Sequence, residues 1–296
     1  MKFGSVERPE LVDFTMPDDH PETEVVLADS GFSGKPNVYV GCSKWTRADL
    51  KGFYPKGTKD ELAYYATQFN SIEFNASFYN LYTAEQYRNW KQKTPAHFRF
   101  FPKVNQMISH MKRLRGADRF TDEMVQGMLG LEEKLGMMFM QLHENFGPKD
   151  WNHLESYLQS WPEGVPLAVE VRHTDWLNDR EVSDRYFDML EARQLATVIT
   201  DTAGRRDLVH MRLTTPTVFI RFVSAYHECD YQRLDDWFER LQVWTRQGIQ
   251  NIYFFIHQNL EETTPMLSEY FVKRLNRELG YKLPVPGRPE IQASLF

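Results

Sequence analysis

The sequence predicts a single α/β domain, a (β/α)8 TIM-type barrel with an N-terminal extension and a Pro-rich C-terminal tail. Three observations carry this expectation: eight short strand-like runs, helix-length stretches between them, and strands that turn polar as they end. Strands alternating with helices imply right-handed crossovers and a parallel sheet, and eight such units in about 250 residues fit the barrel. At 296 residues the chain is long enough for one such fold.

Residues 1–36 hold Pro9, Pro17, Pro21 and Pro36 and show no periodicity, which reads as an acidic leader or a wrapped extension. The barrel is expected over 37–283. Its strands are "NVYVGC" from 37, "SIEFN" from 71, "RFFPKV" from 99, "MMFMQLH" from 137, "LAVEVR" from 167, "ATVITD" from 196, "VFIRFV" from 218 and "NIYFFIH" from 251. Helical stretches run from Lys59 to Phe69, Ala84 to Lys93, Asp122 to Lys134, Trp151 to Ser160, Ser183 to Arg193 and Leu234 to Gln247, with a last one after Thr264. The sixth connection, "TAGRRDLVHMRLTT", has the weakest helical pattern. A doubly wound open sheet is the rival fold, but "GCSKWTRADLKG" after the first strand lacks both the dinucleotide and the P-loop glycine patterns. Residues 284–296 form the Pro-rich tail, expected to be extended.

With 42% hydrophobic and 14% aromatic residues the composition excludes disorder over most of the length. No apolar run approaches the ~20 residues of a membrane span, so no membrane partner is expected. The first residues contain no apolar core of a secretory signal, and a cytoplasmic location is the expectation. Cys42 and Cys229 are the only cysteines and give neither a disulfide framework nor metal-type spacing. Of the net charge of -6, residues 1–36 contribute three basic against eight acidic side chains, leaving 32 against 33 beyond them. That near-neutral body argues against wholesale coating of nucleic acid, although a local contact stays open. One segment is locally basic: Gln86 to Ala117 has no Asp or Glu but includes Lys103, Lys112, Arg113 and Arg115, with His97 and His110 beside them.

Barrel enzymes build their sites at the C-terminal ends of the strands. Alternation places Glu73 and Asn75, Lys103, Gln141 and His143, Glu170 and Arg172, Asp201, Arg221 and His257 on the inward set of successive strand ends. Three carboxylates would thus face three cations. Such groups must pair, bind a ligand or shift pKa, because an isolated buried charge costs several kcal/mol. They compose either a balanced salt-bridge network or a site. As a site, Glu73, Glu170 and Asp201 are acid/base candidates, with His143 and His257 as their complements near neutrality. Lys103 could pair with an oxyanion, the commoner role, or attack a carbonyl as a desolvated amine. Arg172 and Arg221 have the planar fork that grips carboxylate or phosphate. Interspersed cations would repel a dication, so no metal is expected, and no cofactor motif is present. Trp45, Phe78, Tyr79 and Trp176 follow strand ends and could form a stacking rim, though core packing explains each equally well.

At these residues the sequence is similar to the YecE-like family, a domain of unknown function numbered seventy-two. The similarity runs from about Val38 to Gly280. It rests on "GCSKW" with "FYP", "FNSIEFNASFY", "TPAHFRFFPKV", "ISHMKRL", "QLHENF", "VEVRHTDW" and "IRF", in that order and spacing. The resemblance implies a TIM-type barrel and motif positions at Trp45, Glu73, Asn75, Phe78, Tyr79, Lys103, His110, Glu170, Arg172, His173, Trp176 and Arg221. It implies no reaction. Where the family has His-Gly after the seventh-strand Arg-Phe, Val223 and Ser224 stand here, and "FIHQN" replaces the Phe-Asn-Asn ending of the eighth strand.

The chain ends in "QASLF", similar to the peptide by which bacterial replication and repair proteins dock on the DNA sliding clamp; Gln292 would be the polar anchor and Leu295 and Phe296 the apolar plug. The same two side chains could instead fold back onto the barrel. The leading expectation is an enzyme, a hydrolase, isomerase or lyase, that binds an anionic, phosphate-bearing small molecule through Lys103, Arg172, Arg221 and the loop carrying His110 and Arg113. A DNA repair or processing factor recruited to the clamp is the second reading, and a non-catalytic ligand-binding barrel the third.

Overall fold

In the computed structural model, which describes residues 4–258 and 263–287, all eight runs become parallel strands. These are β1 (Asn37–Cys42), β2 (Ser71–Phe74), β3 (Arg99–Pro102), β4 (Met138–Gln141), β5 (Leu167–Glu170), β6 (Ala196–Asp201), β7 (Thr217–Val223) and β8 (Asn251–His257). Their order is β3-β2-β1-β8-β7-β6-β5-β4. The ends of that row meet through two single bridges, Phe100 to Leu135 and Lys103 to Phe139. The sheet is therefore a nearly closed (β/α)8 barrel, and Lys103 sits on its seam. Gly41 permits the β1–β2 approach, since a Cβ there would lie 2.4 Å from the Ser71 carbonyl oxygen.

Ten α-helices are described: α1 (Pro21–Asp29), α2 (Glu61–Gln68), α3 (Ala76–Tyr79), α4 (Ala84–Gln92), α5 (Asp118–Met128), α6 (Trp151–Gln159), α7 (Asp175–Asn178), α8 (Arg180–Ala192), α9 (Cys229–Gln247) and α10 (Thr264–Leu279). Their starts follow the local chemistry. The Asp60 and Asp179 carboxylates accept the backbone N–H groups of Ala63 and Val182, and Thr83 with Gln86 forms a capping box. Gly248, in the left-handed region at φ 112°, ends α9. The β6–β7 connection has only a 3-10 turn, Arg206–Leu208, consistent with its weak helical pattern. None of the described helices is long and apolar enough to cross a membrane.

The N-terminal segment contains a helix, α1, that its lack of periodicity does not announce. Thr23 pins that helix to the β6–β7 connection. Its hydroxyl donates to the Met211 carbonyl at 2.8 Å and accepts the Leu213 N–H at 2.9 Å. Asp19 accepts the Trp244 indole N–H at 3.1 Å and pairs with Arg240, which fixes the segment to α9.

Inside the barrel, Phe101, Phe139, Ala168, Ala196, Val198, Phe219 and Phe255 form one apolar cluster. Phe219 and Phe255 approach with ring centroids 5.0 Å apart, as do Phe101 and Phe255. Removing each phenylalanine from water contributes about 1.5–3 kcal/mol, and the layer closes the barrel from below. The strands' outer faces pack against the helices in two further clusters.

Candidate active site at the barrel mouth

Directly above the phenylalanine layer, the next inward position of six strands is polar: Glu73, Lys103, Gln141, Glu170, Arg221 and His257. Each lies two residues beyond a residue packed inside the barrel, Ser71 on β2 excepted as a small polar residue. Arg221 is the hub. Its Nε and Nη2 donate to the two oxygens of Glu73, both at 3.0 Å, and its Nη1 donates to Glu170 at 2.8 Å. The other Glu170 oxygen accepts Arg172 Nε at 2.8 Å. Glu73 also meets His257 Nε2 at 2.7 Å and accepts the Asn75 amide at 2.8 Å.

Burial pushes both carboxyls up, but the charges around them win. The Arg221 guanidinium and the His257 ring hold Glu73 well below the usual carboxylate range. Arg172, Arg221 and Lys103 bring Glu170 down to about 2. Neither carboxylate therefore has the proton affinity of a neutral-pH acid, and each is a weak base. Their effect here is to fix the two guanidiniums.

Lys103 differs from its neighbours. Only 8% exposed, its ammonium donates to the neutral Gln141 Oε1 at 3.0 Å, its one hydrogen bond among the described residues. It lies 4.2 Å from the centroid of the Phe78 ring. Burial lowers its pKa, Arg221 and Arg172 lower it further against the pull of Glu170 and Glu73, and the result is about 7. Above Lys103 the Phe78 ring meets His110 edge-on at 4.9 Å, and His110 stands 5.2 Å from His143. Burial, then Lys103, lowers His110 to about 4, so its imidazole is neutral at pH 7.

One sequence expectation is corrected, and the other candidates fall in several places. Asp201 does not face the mouth. Register pairs Ala168 with Ala196 and Val198 with Phe219, so Val198 and Thr200 are the inward residues of β6. Asp201 points outward, where it accepts Arg233 Nη2 and Trp237 Nε1, both at 2.7 Å, and pairs with Arg206. Phe14 of the N-terminal segment covers Arg233 at 4.6 Å, so this carboxylate ties β6, α9 and the extension together. Trp176 is fully buried, donates to the Phe146 carbonyl at 2.7 Å and packs on Trp151 and Tyr186, which makes it core and not rim. Trp45 stacks on Phe74 at 5.4 Å with Trp90 beside it, on the outer face of β2. Tyr79 is 65% exposed beside Phe78. His173 accepts the Asp175 N–H at 3.3 Å on the loop after β5. Arg113 sits at φ 49° just beyond the Met107–Met111 π-turn that carries His110. Gln292, Leu295 and Phe296 lie outside the described residues. Sequence reading had no signal for Gln141 as the shared acceptor of Lys103 and, at 3.4 Å, of Arg221, because nothing in the sequence sets cross-barrel distances.

Comparison with known proteins gives the family and the fold. The profile of the family described as "Protein of unknown function DUF72" matches residues 39–291. The protein YecE of Escherichia coli is 28% identical over 281 residues, covering 88% of this chain and all of that one. YunF of Bacillus subtilis is 28% identical over 153 residues, 48% of this chain and 52% of its own. Crystal structures of DUF72 proteins share the fold. One from Enterococcus faecalis has a TM-score of 0.66 at 18% identity, covering 82% of this chain and 99% of its own. One from Thermotoga maritima has 0.64 at 23%, covering 81% and 99%.

Proposed function

The chain belongs to the DUF72 family of proteins of unknown function, and from that premise we propose that the polar end of its barrel is an enzyme site for a small anionic, phosphate-bearing molecule. The observation that carries this reading is Lys103. Three cations, Lys103, Arg172 and Arg221, stand against two carboxylates, and Lys103 is the one that bonds a neutral amide and, among the described residues, no carboxylate. A closed salt-bridge network would give the buried ammonium a carboxylate, since a charge taken out of water without a counter-ion costs several kcal/mol. An anion over Phe78 would supply that counter-ion.

The roles follow from the proton affinities. Glu73 and Glu170 orient the guanidiniums and set the field of the mouth. Lys103, near 7, is the group that exchanges a proton around neutrality, under the Phe78 ring that His110 meets edge-on. Hydrolysis, isomerisation and elimination on a phosphate-bearing molecule are all compatible with this set. Calorimetric titration with inorganic phosphate and with sulfate tests the anion reading. Saturable binding that weakens at least tenfold in Lys103→Met is expected, and equal binding by the variant, or none by the wild type, would overturn it.

A further inference from the structure

We propose that Lys103 is a covalent catalyst whose amine adds to the carbonyl carbon of a small ketone or aldehyde that also carries an anionic group, forming an imine. This rests on the anion reading and names the substrate class within it. The geometry supports it in three ways. The amine is buried at the mouth on the seam between β3 and β4, with apolar surface on two sides: Phe78 at 4.2 Å and Phe139 at 5.9 Å to the ring centroids. Its one hydrogen bond among the described residues goes to the Gln141 amide oxygen, an acceptor that aims the side chain while leaving the nitrogen lone pair available once a proton is lost. The charged groups facing it are Arg221 of β7, Arg172 beyond β5, Glu170 of β5 and Glu73 of β2; of these the two guanidiniums disfavour the ammonium, and both carboxylates are already bonded to guanidiniums. Desolvation beside other cations is the established way to make a lysine nucleophilic near neutral pH.

The step balances without an external oxidant or reductant. The neutral amine forms the C–N bond as the carbonyl π pair moves to oxygen. That oxygen takes one proton from the amine, giving a carbinolamine. A second proton, from solvent or an imidazole at the rim, converts the hydroxyl to water. Water leaves as the nitrogen pair closes the C=N bond, and the iminium charge forms in the field of Glu170 and Glu73. An iminium withdraws electrons from the neighbouring carbon, which is what an isomerase or lyase acting on a carbonyl compound requires.

The full-length protein is incubated with dihydroxyacetone phosphate, and separately with pyruvate, in the presence of cyanoborohydride, and adducts are mapped by peptide mass spectrometry. The expected result is an adduct on Lys103 at least tenfold above that on any other lysine, lost in Lys103→Arg, forming in the wild type at a rate that rises with pH through about 7. No adduct, or adducts spread evenly over surface lysines, would sink the imine whatever the variants do. Inorganic phosphate, titrated on the same sample, separates the two ideas. Phosphate binding without an adduct removes the imine and leaves the anion site. An adduct that phosphate does not compete with keeps the imine and removes the phosphate reading. Neither signal removes both.

Discussion

Glu73 on β2 and Arg221 on β7 reach each other across the barrel and join through two parallel hydrogen bonds of 3.0 Å. The strands are not neighbours, since β1 and β8 lie between them. A bidentate pair in this position bridges the top of the phenylalanine layer, and Glu170 and His257 attach to it from either side. Breaking it from one end leaves the rest buried and charged.

Arg221→Met therefore leaves buried Glu73 with only His257 and Asn75 and buried Glu170 with only Arg172, and we expect a loss of about 3–5 kcal/mol in stability, read from urea unfolding. Glu73→Gln keeps an acceptor for Arg221 and should cost less. Equal losses in the two variants would contradict the hub assignment.

Removing the charge of Lys103 should have the opposite sign. The folded-state pKa of this lysine lies below its unfolded value, so the unfolded chain binds the extra proton between about 7 and 10.5 and stability rises with pH across that window. Lys103→Met is expected to stabilise the protein by about 1–3 kcal/mol at pH 6, with the gain shrinking toward pH 10. Thermal unfolding at the two pH values measures it; a gain independent of pH would refute the desolvation argument.

Acid stability follows from the carboxylates. Glu170 is held ionised down to about 2, below its ordinary value, so its contribution is complete above about pH 5 and is lost as pH falls toward 2. Glu73 acts in the same direction. Glu170→Gln should flatten the acid limb of the stability curve, and an unchanged limb in the variant would count against the assignment.

Asp201 should separate stability from binding. Asp201→Asn leaves Arg206 without its carboxylate and Arg233 with Asp230 alone beneath Phe14, and a loss of about 2–4 kcal/mol is expected. Phosphate affinity in the folded fraction should stay within twofold of wild type. A tenfold loss would return Asp201 to the site.

Much of the fold and of the mouth is legible in the chain. On β3, β4, β7 and β8 an inward phenylalanine stands two residues before the polar end, so alternation alone carries Lys103, Gln141, Arg221 and His257 to the inner face. On β6 it misleads, because Ala196 and Val198 are small and Thr197 and Ile199 are buried too; both alternation sets look like core, and only register with β5 and β7 decides. Aromatic residues beyond a strand end, such as Trp45 and Trp176, lack a period that would separate rim from helix layer. The α1 helix is invisible for a related reason: it buries only Thr23, Val26 and Leu27, too few to draw an apolar stripe, and it is held by Thr23 and Asp19 docking on distant segments. Pairing across the barrel is also beyond sequence, and it is pairing that leaves Lys103 as the cation without a carboxylate partner among the described residues.

The most direct measurement of that central claim is an NMR titration of the Lys103 side chain, followed through its ε-carbon with and without inorganic phosphate. The predicted midpoint in the free protein is about 7, moving upward when phosphate is present. A midpoint at the ordinary lysine value, above about 10, and unmoved by phosphate, would contradict it.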